Sequence, residues 1–294
     1  MIQNLHTHTN FSDGSDDPVK YIEEALRQGF SILGFSDHSP LPFENKFALR
    51  EEQTDRYCKT IIDLRKKLIF PSPSQAINIQ HPASNIQLFL GMETDFISGL
   101  GHSPAYFKEN FPLDYIIGSV HLVRNPQEEE LWFIDGPLTQ TYDDGLSKVF
   151  HGDSRFAVTT YYRQVQEMIA CFKPDIVGHL DKIKMHNHDR FFSETELWYN
   201  KLVDETLDLI QENGCIVEVN TRGIYKKRSE TLFPGPAILK KILSRKIPVT
   251  LCSDAHKPNE ISMFFPEAIQ LLTNLGFHES MYLSSAGWES HPFK

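Results

Sequence analysis

Short apolar runs alternate along the chain with longer stretches whose apolar residues recur at helical spacing, the pattern of βα units around a parallel sheet. The runs predict strands near 2–7, 31–36, 87–92, 114–120, 175–179, 215–219 and 247–252, with a weaker one near 280–284. Helices are predicted over Pro18–Gln28, Glu51–Leu68, Thr160–Phe172, Glu194–Asn213, Pro236–Ser244 and Phe265–Leu275. Several of them open on Pro or an acidic residue and close by a Gly, as helix ends prefer. Seven or eight such units in one α/β domain spanning 1–294 predict a closed or nearly closed barrel, with a doubly wound open sheet as the alternative.

Two segments break the rhythm. The first, near 71–86, is rich in Pro, Ser, Asn and Gln from Pro71 to Asn85 and reads as a surface excursion, with His81 solvated. The second, 122–159, is too long for an ordinary connection and contains Trp132, Phe133, Asp135, the turn Tyr142–Gly145 and His151. It is either a cover over the barrel mouth or an insertion without catalytic consequence.

Composition changes this picture little. The 294 residues are 40% hydrophobic and 23% charged, an ordinary globular balance. A formal net charge of -10 argues against a broad nucleic-acid surface, which needs clustered Lys and Arg, and leaves room only for a short strand in a cleft. Cys58, Cys171, Cys215 and Cys252 are far apart with no CxxC, which predicts buried, reduced thiols and a cytoplasmic setting. The chain has neither a basic leader with an apolar stretch nor an 18-residue apolar span, so secretion and membrane insertion are not expected.

The candidate chemistry is positional. His6 and His8 close the first predicted strand at i and i+2, so both imidazoles project from one face, about 6.5 Å apart. A second such pair, His186 and His188, lies in a polar stretch and reads as surface. Asp13 follows in the first strand-to-helix loop; strand two ends at Asp37 and His38, strand three at Glu93, strand four at His121, strand five at His179, and strand seven at Asp254 and His256. One His at one strand end is ordinarily structural. In a parallel barrel, however, all C-terminal strand ends meet at one face, so these residues converge on one pocket. Four to six donors suffice for one ion, so His6, His8, Asp13, His38, Glu93, His121, His179, Asp254 and His256 fit two or three, and a polynuclear hydrolase follows.

These pieces resemble the polymerase and histidinol phosphatase (PHP) superfamily, through His6-Thr-His8-Thr with Ser12-Asp13-Gly14, Phe35-Ser-Asp-His38, Gly91-Met-Glu93, Ser119-Val-His121, Gly178-His179-Leu-Asp181 and Cys252-Ser-Asp254-Ala-His256. Within that family the stretches Asp175–Lys184 and Glu218–Gly223 are most similar to the histidinol-phosphatase branch. The resemblance implies a distorted (β/α)7 TIM-like barrel with its metal site at the C-terminal strand ends. It implies one ion on His6, His8, Glu93 and Asp254, a second shared through Glu93 with His121 and His179, and a third on Asp13, His38 and His256. Asp13 stands where some relatives carry a His slightly further on.

Zinc, manganese and iron all suit this donor set. The resemblance further implies hydrolysis of L-histidinol phosphate to L-histidinol and phosphate in histidine biosynthesis, with a PHP-type phosphoesterase acting on nucleotides or oligonucleotide ends as the alternative. Two or three divalent ions outweigh Glu93, Asp13 and Asp254 and draw in a small phosphomonoester dianion. Arg222 and Lys182 are candidate phosphate clamps, followed by Arg155 and Lys226. Asp37 either protonates the leaving alkoxide or orients a ligand beside it, and Asp181 either pairs with a substrate amine or caps a helix. A metal-dependent amidohydrolase also opens with His-x-His, but requires a bridging Lys where Glu93 stands. The sequence predicts no oligomeric state.

Overall fold

The computed structural model describes residues 1–69 and 86–293. Its elements in order are β1 (Gln3–Asn4), α1 (Pro18–Arg27), β2 (Ile32–Phe35), α2 (Thr54–Ile69), β3 (Gln87–Asp95), α3 (Pro104–Asn110), β4 (Tyr115–Ser119), β5 (Leu122–Arg124), β6 (Leu131–Phe133), α4 (Thr139–Phe150), α5 (Ser154–Phe172), β7 (Ile176–Val177), α6 (Leu197–Asn213), β8 (Ile216–Asn220), α7 (Arg222–Tyr225), α8 (Pro236–Ser244), β9 (Val249–Cys252), α9 (Phe265–Leu275), β10 (Glu279–Ser284) and β11 (Gly287–Pro292).

Seven parallel strands form one sheet in the order β1-β2-β3-β4-β7-β8-β9. Just beyond the ends of its edge strands the sheet curls shut: the His8 N–H donates to the Ala255 carbonyl at 2.8 Å and the Ala255 N–H to the His6 carbonyl at 3.0 Å. That is the nearly closed barrel, not the open sheet. Asn4 reinforces the seam, its Nδ2 donating to Ser253 Oγ at 2.9 Å while its Oδ1 accepts the Ser253 N–H at 3.1 Å.

The predicted helices are present, the one expected over Thr160–Phe172 starting sooner. α5 begins at Ser154 because Asp153 caps it, accepting the Phe156 N–H at 2.9 Å. The eighth apolar run does not enter the barrel. β10 instead pairs antiparallel with β11, and this hairpin plugs the lower end, where Leu283 joins Leu5, Ile32, Tyr115, Ile117, Ile176, Ile216 and Cys252 in the interior cluster. Gln3 docks it, accepting the Leu283 N–H at 2.8 Å and donating to the Met281 carbonyl at 3.1 Å. Tyr115 fills the barrel axis and explains two strand glycines: a Cβ on Gly34 or Gly91 would come within 2.3 or 2.2 Å of its side chain.

The 122–159 segment is built, not draped. β5 and β6 make an antiparallel hairpin, α4 follows, and Trp132, Ile134, Tyr142, Leu146, Val149 and Phe150 join the largest buried cluster with α5 and α6. Tyr142 hydroxyl donates to the Ile183 carbonyl at 2.8 Å, tying α4 to the loop after β7. The excursion expected near 71–86 lies outside the described residues apart from Ile86.

Candidate metal centre

The upper barrel mouth collects the predicted donors. His6, His8, Glu93, His121, His179 and Asp254 are each no more than 3% exposed, and His38 is 5% exposed. Glu93, in the last part of β3, lies at the centre. Its Oε2 is 3.1 Å from His6 Nε2 and 3.3 Å from His8 Nε2, and its Oε1 is 2.9 Å from His179 Nε2 and 3.5 Å from His121 Nε2. Asp254 Oδ1 approaches His8 Nε2 at 3.4 Å and His6 Nε2 at 3.8 Å. On the outer side Asp13 reaches His256 Nε2 at 3.2 Å, His8 Nδ1 at 3.8 Å and His38 Nε2 at 3.9 Å. Ligand atoms of His8, Asp13, His38 and His256 lie within 4.8 Å of one another, as do those of His6, His8 and Glu93 and those of His38, Glu93 and His121.

The donor set fits metal ions on structural grounds. His6 Nε2, both ring nitrogens of His8 and His179 Nδ1 are buried without a hydrogen-bond partner among the described residues, a costly arrangement unless a cation takes the lone pairs. Rings crowd as ligands do, with the His8 centroid 4.2 Å from that of His256 and 4.4 Å from that of His38. The electrostatics agree. Burial opposes the charge on Glu93, yet the surrounding His6, His38 and His121 hold its carboxyl well below the usual range. Burial likewise opposes charge on Asp254, but His6 and Arg222 keep it well below its usual range.

Local structure explains how each donor is aimed. The 9–14 loop folds around Asp37, whose Oδ1 accepts the Thr9 and Ser12 N–H groups at 2.8 and 3.1 Å and the Ser12 hydroxyl at 2.6 Å, while Oδ2 accepts the Thr9 hydroxyl at 2.9 Å. Gly14 closes that loop against the backbone, since a Cβ there would sit 2.2 Å from the His8 carbonyl oxygen. His179 and Asp254 adopt left-handed backbone, at φ 22° and 53°, which is strained for residues with a side chain. Both are pinned: the His179 N–H donates to Glu218 Oε2 at 2.8 Å, and the Asp254 carbonyl accepts from Arg222 Nη1 at 2.8 Å and from the Tyr225 hydroxyl at 3.1 Å.

The remaining sequence candidates divide sharply. Arg222 and Lys182 do reach the centre, with Arg222 Nε 4.0 Å and Lys182 Nζ 3.9 Å from Asp254 Oδ2. Lys226 is nearby but paired with Glu260. Arg155 does not belong to the site: it is exposed on α5, stacked at 5.5 Å over Trp198. Asp181 is fully buried and engaged by the protein, its Oδ2 accepting the Gly235 N–H at 2.9 Å and pairing with Lys184 Nζ at 2.6 Å. Both oxygens of Asp37 are engaged by the 9–14 loop, and burial outweighs those bonds and pushes its carboxyl up. His151 is exposed and pairs with Glu128, away from the cluster, whereas His186 is buried and bonds the Gly136 carbonyl at 2.8 Å, which corrects its reading as surface. Cys171 is exposed; the other three cysteines are buried, and all four are free.

Three acidic residues around the donors escaped the sequence reading as site residues. Glu218 Oε1 holds His6 Nδ1 at 2.5 Å. Asp135, from the 122–159 segment, pairs with the buried Lys182 Nζ at 2.8 Å and stands 3.7 Å from His121 Nε2. Asp95 lies against both His38 and His121. For Asp95 a signal was present: Glu93-Thr94-Asp95 is the same i, i+2 pattern as His6-Thr7-His8. Asp135 had none, because its partner is set by how the segment packs. That segment also covers the site edge, where Phe133 stacks on Phe47 at 5.4 Å and Phe47 meets the His38 ring edge-on at 5.6 Å.

A distorted seven-stranded α/β barrel whose mouth gathers buried imidazoles around a shared carboxylate defines a metal-dependent hydrolase-type architecture. The chain belongs to the PHP family, the PHP domain matching residues 4–222. It is 27% identical over 274 residues to the histidinol-phosphatase of Bacillus subtilis, covering 87% of this chain and 94% of that one. Among solved structures, a protein of Listeria monocytogenes superposes with a TM-score of 0.74 at 18% identity, covering 90% of this chain and 99% of that one. The histidinol phosphate phosphatase of Lactococcus lactis, determined with Zn, L-histidinol and phosphate, superposes with a TM-score of 0.67 at 19% identity, covering 98% of each chain.

Proposed function

We propose that this chain is a metal-dependent phosphomonoesterase that hydrolyses L-histidinol phosphate to L-histidinol and phosphate, a step of histidine biosynthesis. One observation carries the reading: donors from six barrel strands and their loops converge on Glu93, in a chain that aligns along nearly its whole length with histidinol-phosphatases. The Lactococcus lactis complex supports zinc, histidinol and phosphate as the chemistry such a mouth accepts. We assign His6, His8, Glu93 and Asp254 to one ion, Glu93, His121 and His179 to a second, and Asp13, His38 and His256 to a third, with zinc, manganese and iron all compatible. Bound divalent ions supply Lewis acidity, neutralising phosphoryl oxygens and acidifying water.

The protein's own part is placement. Glu93 and Asp254 space the donors, Arg222 and Lys182 add fixed positive charge beside Asp254, and the Phe47–Phe133 stack shields the edge of the mouth. Burial works against the charge on Lys182, yet Asp135 and Asp254 outweigh it and keep the ammonium protonated. We further read 1–294 as one domain of a cytoplasmic enzyme, a setting that its four free cysteines fit. No described helix is long and apolar enough to cross a membrane.

The test is steady-state phosphate release from a panel containing L-histidinol phosphate, other amino-alcohol phosphates, nucleotides and 3'-phosphorylated oligonucleotides. Metal-replete protein is expected to favour histidinol phosphate in kcat/KM, with His8→Ala losing at least about 100-fold by removing a donor. Efficient turnover of nucleotides with poor turnover of histidinol phosphate would keep the centre and overturn the substrate.

A further inference from the structure

We propose that Asp95 is a positioning residue shared by two of the ion sites, each of its carboxylate oxygens fixing the tautomer of one ligand histidine. The inference rests on the metal assignment above. Asp95 Oδ2 lies 3.0 Å from His38 Nδ1, and Asp95 Oδ1 is hydrogen-bonded to His121 Nδ1. The opposite nitrogens face different donor groups: His38 Nε2 points to Asp13, at 3.9 Å, while His121 Nε2 points to His179 Nε2 and Glu93 Oε1, at 3.1 and 3.5 Å. A single carboxylate therefore accepts two Nδ1–H bonds and leaves two Nε2 lone pairs free of protons, one at each site.

The residue is built for this. Asp95 is 4% exposed, and its backbone is fixed by the β3–β4 register with Ser119 and by donating its N–H to Ser39 Oγ at 3.2 Å. Glu93 Oε2 is also 3.1 Å from His38 Nδ1, but that oxygen already faces His6 Nε2 and His8 Nε2. No described carboxylate other than Asp95 contacts Nδ1 of both His38 and His121.

The arrangement makes an asymmetric prediction for Asp95→Asn. An amide has one oxygen and one NH2, so it can accept from only one of the two rings. The other ring must turn its Nδ1 lone pair to the NH2 and carry its proton on Nε2, where it blocks coordination. Chelator-stripped protein is reloaded with zinc, dialysed, and its bound metal counted by mass spectrometry, with affinities from competition against a chromophoric chelator. Asp95→Asn is expected to lose one zinc per chain relative to wild type, that site weakening 10- to 100-fold, while Asp95→Ala weakens two.

A readout independent of any variant is the long-range 1H–15N spectrum of histidine-labelled, zinc-loaded wild type, which is expected to show His38 and His121 protonated on Nδ1. Equal zinc content and affinity in wild type and Asp95→Asn, or either ring protonated on Nε2, would overturn the role of Asp95 while leaving the metal centre standing. Wild type that binds no zinc would overturn both.

Discussion

At the residue scale, the acids around the centre act on other protein groups as much as on anything bound. Asp37 makes the point testable. Its Oδ1 takes three of the four bonds from the 9–14 loop, so Asp37→Asn, with the amide oxygen in that place, keeps them, and the Thr9 hydroxyl can turn to accept from the NH2. Asp37→Asn is therefore expected to keep kcat/KM within a few-fold of wild type, whereas a proton-donating Asp37 would cost about 100- to 10,000-fold. Asp37→Ala leaves four donors without their acceptor and is expected to lower unfolding free energy by about 3 kcal/mol in urea titration. Residue-scale legibility follows the same division. The convergence of the proposed metal donors was readable because strand ends and the two-residue period fix which side chains meet. The surroundings of Asp181 were only half legible: Lys184 stands three residues on, but Gly235 is brought to it by tertiary packing that no local pattern encodes.

At the scale of elements, strand type and strand membership were not equally readable. The apolar run near 280–284 is a strand, but alternation alone cannot say which sheet it joins; the tight turn between Ser284 and Gly287, with Gly287 at φ 113°, folds it back on β11. Its contribution is to close the lower end of the barrel with Leu283, which is 5% exposed. Leu283→Ala is expected to cost about 2–4 kcal/mol through the cavity it leaves, read as a lower thermal midpoint. The same variant should leave zinc content unchanged, because the metal donors lie at the opposite end of the strands. The 122–159 segment was legible only as a departure from rhythm. Its hairpin and helix are held by Trp132, whose indole donates to the Tyr142 carbonyl at 3.0 Å, a contact within the segment that leaves no periodic trace.

At the scale of the whole molecule, the chain carries its formal charge of -10 together with a concentration of acids at one mouth: Asp13, Asp37, Glu93, Asp95, Asp135, Glu218 and Asp254, against the permanent cations Lys182 and Arg222. Stripping bound cations leaves that imbalance uncompensated across every strand that donates to it. Prolonged chelation is expected to lower the thermal midpoint as well as abolish phosphate release, and stoichiometric zinc to restore both. Free metal at 100 times its dissociation constant adds about 2.7 kcal/mol of stability. A midpoint indifferent to chelator would show that the barrel stands without its ions.

The seam between the first and last strands also sets an order of events during synthesis. His6 and His8 leave the ribosome some 250 positions ahead of Asp254 and His256, which must then meet them. At about 5–20 residues per second the earliest donors wait roughly 12 to 50 s for their partners. Throughout that interval the nascent chain holds an incomplete chelate, and the complete centre can form only once Asp254 and His256 have emerged.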